Sequence, residues 1–140
     1  MKNILLIEDN AGDIKLFEEA ISLESLDVNL TVLEDGLEGM EYFEKLKDAS
    51  ASEYPSLIIS DLNLPKISGK ELIKAFKSDP KLKVIPIIVL STSSLDKDIK
   101  DCYELNANAF LEKPLDIEDF FYLIKLIDSF WLRNCHLSKI

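Results

Sequence analysis

The chain has 140 residues, 47% hydrophobic and 30% charged, with a formal net charge of −10 at pH 7. That length suits one ordinary domain, and the composition excludes extended disorder. The acidic balance sets the chain against nucleic acid, whose phosphates would meet a repelling field, and Arg133 is the only arginine available for bidentate phosphate contacts.

The first run, MKNILLIEDN, is too short and wrongly flanked for a signal peptide or a membrane span, and it predicts a strand over Asn3 to Ile7 that ends on Glu8 and Asp9. Ile14, Phe17 and Ile21 recur at helical spacing. A second strand over Leu30 to Leu33 is closed by Asp35-Gly36, and Leu37, Met40, Tyr42 or Phe43, and Leu46 form the next helical stripe. The polar stretch KDASASEYPS, Lys47 to Ser56, reads as a surface loop. A third strand over Ser56 to Ser60 runs into Asp61 and Asn63. Leu72, Ile73 and Phe76 mark a third helix, stopped at Asp79-Pro80. The fourth strand, Ile85 to Leu90, is followed by Ser91 and Thr92. Ile99, Cys102 or Tyr103, and Leu105 mark the fourth helix, with Asn106 as a left-handed cap. The fifth strand, Ala109 to Leu111, precedes Lys113-Pro114. Asp116 then N-caps a last helix carrying Phe120, Phe121, Ile124, Ile127 and Trp131.

Strands that read as continuous apolar runs are buried on both faces, as in a parallel sheet covered by helices. The alternation is (βα)5, an α/β doubly wound five-stranded parallel sheet of flavodoxin-like order 2-1-3-4-5, with its ligand site at the carboxyl ends of the strands. Glu8, Asp9, Asp61, Ser91 and Lys113 all fall on that edge. Each acid alone reads equally well as a solvated turn residue; the signal is their coincidence at four strand ends. Converging carboxylates repel unless a cation neutralises them, and hard oxygen donors suit Mg2+ or Mn2+. Asp9 and Asp61 are the expected direct ligands, with Glu8 acting through water and Asn63 through its backbone carbonyl. A carboxylate beside such an ion and the Lys113 ammonium can attack phosphorus, with Ser91 able to bond a phosphoryl oxygen.

The segments LLIEDN, IISDLNLPKISG, PIIVLSTSS and FLEKP resemble the motif set of the receiver domain of two-component response regulators, the CheY-like superfamily, and the likeness covers essentially the whole chain. The resemblance implies that Asp61 accepts a phosphoryl group from the phosphohistidine of a sensor histidine kinase, that Ser91 and Phe110 form a two-state switch, and that Lys113 contacts the phosphoryl group. DLNLPK, the long loop after the second helix, LSTSS and IDSFWL look like the short single-domain Rcp-type regulators of bacterial phytochrome kinases. Departures from the common pattern are a Glu-Asp acidic pair, Ser91 in place of threonine, Thr92 in place of a small alanine, and Phe110 in place of tyrosine.

The expectation is a single receiver domain over 1–140 with no output domain. It would be a cytoplasmic phosphoacceptor signalling protein rather than an enzyme, acting through a downstream protein target. The apolar tail, about 129–140 with Phe130, Trp131, Leu132, Leu137 and Ile140, either meets a partner or docks on its own core. The family likeness favours a homodimer through the last helix face. Cys102 and Cys135 read as reduced thiols, and His136 carries no role. A flavodoxin-like cofactor binder would want phosphate donors where EDNAGD has acids, and a haloacid-dehalogenase-type phosphatase would want an acid at Asn63.

Overall fold

In the computed structural model, which describes residues 1–138, five parallel strands form one sheet in the order β2-β1-β3-β4-β5. The strands are β1 (Lys2–Ile7), β2 (Val28–Leu33), β3 (Leu57–Ser60), β4 (Ile87–Ser91) and β5 (Ala109–Glu112). The helices are α1 (Ala11–Leu23), α2 (Gly36–Lys47), α3 (Gly69–Ser78), α4 (Asp96–Glu104) and α5 (Ile117–Ile127). The fold class and strand order are those expected from the sequence.

Alternate residues of the central strands feed two apolar layers, because successive side chains point to opposite faces of a sheet. Leu5, Ile7, Ile58, Ile87 and Val89 join α2, α3 and Cys102 of α4 on one face. Ile4, Leu6, Leu57, Ile59, Ile88 and Leu90 join α1 and α5 on the other, where the rings of Phe17 and Phe120 meet edge to face at 5.6 Å. Burial on both faces holds for β1, β3 and β4. The outer strands are only partly covered, with Val28 the sole buried residue of β2 and none buried in β5, as sheet edges dictate.

Caps fall where short polar side chains allow them. Asp35 accepts from the Glu38 amide, Ser68 from Glu71 and Asp116 from Glu118, and Asn106 has a φ of 74° after α4. Lys47 still belongs to α2, and the rest of the expected loop, 48–56, contains one short 3-10 turn, Ala51–Glu53.

One expectation needs correction. Leu37 lies on the exposed side of α2, whose packed face is Gly36, Gly39, Phe43 and Leu46. Of the two alternatives for the apolar tail, the described part docks on the domain's own core: after α5 the chain continues as a wider helical turn over Asp128–Asn134, closed by Cys135 N donating to Phe130 O at 2.7 Å. Leu132 is buried in the second layer, Trp131 and Leu137 pack against it, and the Lys2 ammonium bonds the Leu132 carbonyl. Phe130 remains 56% exposed. His136 is exposed, and Ile140 lies outside the described residues. Among the described residues no helix is long and apolar enough to cross a membrane.

Candidate functional site

Three sheet hydrogen bonds extend one step past the strands and fix the residues at their ends. Glu8 N donates to Leu33 O at 2.9 Å, Asp61 N to Ile7 O at 3.1 Å, and Lys113 N to Ser91 O at 2.8 Å. Each polar side chain therefore leaves a backbone still tied to the rigid sheet, which fixes it better than a free loop would.

The loop after Asp61 is held as firmly. Asp61 Oδ1 accepts the Leu62 amide at 2.6 Å. Leu62 is buried and Leu64 partly so, which anchors the chain on either side of Asn63. Pro65 O accepts from the Ile67 and Gly36 amides, Lys66 takes a left-handed φ of 72°, and Gly69 N returns to Leu62 O at 2.8 Å. Gly69 has to lack a side chain, since a Cβ there would sit 2.2 Å from Asp61 O and 2.7 Å from Leu62 Cα.

The centre of the site is the Lys113 ammonium, 8% exposed overall. It lies 2.5 Å from Glu8 Oε1, 2.8 Å from Asp13 Oδ2 and 2.9 Å from Asp61 Oδ2. Burial alone would favour the neutral amine, but hydrogen bonds to Asp13, Glu8 and Asp61 outweigh it and hold Lys113 above the ordinary lysine range. Glu8 is 2% exposed, and burial pushes its carboxyl up to about 7, with the Asp61 charge adding to that and Lys113 opposing it.

Glu8, Asp9 and Asp61 each offer a carboxylate oxygen within 4.8 Å of the others. This donor set fits a hard divalent cation. One ammonium does not balance the carboxylates gathered here, so a divalent cation among them would offset their repulsion.

Ser91 is fully buried at the end of β4, and its Oγ accepts the Ser93 amide at 3.2 Å. Ser93 Oγ in turn donates to Asp98 Oδ2 at 2.7 Å, and Lys70 Nζ bridges Asp98 and Asp101 at 2.8 and 3.0 Å. Phe110 is partly buried against the first apolar layer, and its amide donates to the Tyr103 hydroxyl at 3.1 Å. Thr92 is exposed beside this loop.

Glu8, Asp61 and Lys113 thus meet in direct contact, Asp9 joins through its carboxylate, and Ser91 lines the same edge. Sequence reasoning missed Asp13. It lies in the first turn of α1, where Asn10 Oδ1 accepts its amide at 3.0 Å. Its signal in EDNAGD was a third acid, four residues after Asp9.

The response regulator receiver domain family matches residues 4–125. The response regulator Rcp1 of Synechocystis sp. is 39% identical over 136 residues, covering 97% of this chain and 92% of the relative. Among solved structures, the Mn2+-bound form of response regulator Rcp1 is similar with a TM-score of 0.88 and 37% identity, covering 99% of both chains. The phosphorylated cyanobacterial phytochrome response regulator RcpA is similar with a TM-score of 0.89 and 39% identity, covering 98% of both. The strand order, the acidic edge and these matches across nearly the full length agree, and the chain belongs to the response regulator receiver domain family.

Proposed function

We propose that the protein is a response regulator whose Asp61 accepts a phosphoryl group from a sensor histidine kinase. The observation that carries this reading is the setting of Asp61 at the end of central strand β3, within 4.8 Å of Glu8 and Asp9 carboxylate oxygens and 2.9 Å from Lys113 Nζ. An Asp61 oxygen forms the new O–P bond as the N–P bond of phosphohistidine breaks, and the histidine ring keeps that electron pair and takes up a proton. Glu8, Asp9, Asp61 and the Asn63 backbone carbonyl would hold Mg2+ or Mn2+, which supplies positive charge against the transferred oxygens. Lys113 contributes the protein's own cation to the same oxygens, and Ser91 donates its hydroxyl to one of them. Nothing turns over beyond self-phosphorylation from the donor and self-dephosphorylation, so the protein acts as a signal carrier rather than an enzyme.

The output is phosphorylation-dependent binding to a protein target. Ser91 moving toward the phosphoryl group would leave space for Phe110 and bias the face formed by α4, β5 and α5. The likeness to the phytochrome response regulator RcpA supports a phytochrome-type kinase as donor, and a cytoplasmic location belongs to the same reading. A homodimer through α5 is supported by Tyr122, Leu126 and Phe130, exposed at four-residue spacing on one side of the helical segment.

The test is incubation with acetyl phosphate and Mg2+, followed by intact mass. One labile phosphoryl group per chain, lost when EDTA is present, is the expected result; no adduct on the folded protein refutes the proposal. Light scattering before and after phosphorylation tests the dimer, and a monomer in both states removes it.

A further inference from the structure

Among the described residues Lys113 has three anionic partners, and they are not equivalent. Glu8 and Asp61 belong to the carboxylate group that fits a divalent cation, whereas Asp13 does not. Asp61 is also the proposed phosphoryl acceptor, so its carboxylate charge is consumed when the acyl phosphate forms. In the loaded and phosphorylated states two of the three partners are committed elsewhere. Asp13 alone keeps a full carboxylate for the ammonium. It is well placed to do so: its backbone is pinned by the Asn10 cap, its negative charge is favoured in the first turn of α1, and its side chain is only 19% exposed.

We infer that Asp13 is a positioning residue that holds the Lys113 ammonium at the phosphoacceptor edge through an ion pair independent of the cation cluster. The inference rests on Asp61 being the phosphoacceptor. Simple electrostatics gives the opposite expectation: with four acids at the site, removing one would ease the approach of an anionic donor and speed phosphorylation. Positioning gives a slower reaction, because a lysine drawn back onto Glu8 and Asp61 no longer meets the transferred oxygens. The two outcomes differ in sign.

The experiment compares wild type, Asp13→Ala and Asp13→Glu with acetyl phosphate across a Mg2+ series, separating Mg2+ affinity from the maximal phosphorylation rate. Removing a partner that orients a site residue typically costs on the order of tenfold, and that loss is expected here in the maximal rate of Asp13→Ala, with Asp13→Glu recovering most of it. The second readout needs neither metal nor donor. The Lys113 ammonium signal in 15N NMR, visible because the group is buried and bonded, should broaden or vanish in Asp13→Ala and persist in Asp13→Glu. An Asp13→Ala rate equal to or above wild type at saturating Mg2+, or an unchanged Lys113 signal, overturns the inference. Failure of wild type to phosphorylate would instead overturn the proposed function, and the ammonium signal would still judge the Asp13 contact.

Discussion

Replacing Gly69 by alanine sets two effects against each other. Alanine is the better helix former, by up to about 1 kcal/mol in a helix interior and less at a first position such as this, so propensity alone gives a small stabilisation. Sterics oppose it. The new Cβ would lie 2.2 Å from Asp61 O, more than 1 Å inside the 3.4 Å at which ordinary contact begins, and 2.7 Å from Leu62 Cα. Both obstacles are backbone, so no side-chain rotation relieves the clash. The start of α3 must move away from the loop, straining the Gly69 N to Leu62 O bond of 2.8 Å. Forced overpacking costs about 1–3 kcal/mol, which exceeds the propensity gain. The expected net loss is about 1–2 kcal/mol, seen as a fall in thermal midpoint of roughly 3–8 °C for a chain of this size. Because the new Cβ presses on the Asp61 carbonyl itself, the loop backbone shares the displacement and phosphorylation from acetyl phosphate should also slow, by up to about 10²-fold for a misplacement near 1 Å. A Gly69→Ala protein as stable as wild type and phosphorylated at the same rate would refute the reasoning.

Lys113→Met should leave Glu8 and Asp61 without their cation and cut the phosphorylation rate at saturating Mg2+ by roughly 10²-fold; a rate within threefold of wild type would count against it. Leu132→Ala should destabilise by about 2–5 kcal/mol in urea unfolding, because Leu132 is buried in the layer beneath α1 and α5; a change under about 0.5 kcal/mol would mean that the tail is not docked. Asp79 accepts the Leu82 and Lys81 amides at 2.9 Å each, and the Leu82 bond foremost holds its carboxyl below the ordinary carboxylate range. A folded value below the unfolded one means that its stabilisation is present above about pH 4 and fades as the pH falls through the folded value. Asp79→Ala should therefore lower stability by about 1 kcal/mol at pH 7 and by less near pH 2, and an equal loss at both pH values would contradict this.

The fold was readable because the central strands are unbroken apolar runs and the turns carry Asp, Gly, Pro or Asn where caps need them. Strand starts were less readable. Val28 and Asn29 carry no run that sets them apart, and β2 begins there because β1 pairs Lys2 with Val28. Leu37 was misassigned since a hydrophobic residue at helical spacing looks like core, whereas the packed side of α2 is marked by two glycines; Gly36 lets the chain pass Ile67 O, which a Cβ would meet at 1.7 Å. At the site, the residues at strand ends could be read from position alone. Asp13 could not, because an acid in a first helical turn is already explained by the helix dipole, and only folding shows that Lys113 comes within 2.8 Å of it. The chain of bonds from Ser91 through Ser93 and Asp98 to Lys70 joins residues of ordinary surface type across α3 and α4, and no local pattern announces it.

The most direct measurement of the central claim locates the phosphoryl group. The phosphorylated protein is reduced with borohydride, which converts an aspartyl phosphate to homoserine, and its peptides are mapped by mass. The account expects homoserine at position 61 and none in an Asp61→Asn protein treated alike. Homoserine at Asp9 or Asp13, or label persisting undiminished in Asp61→Asn, would contradict it.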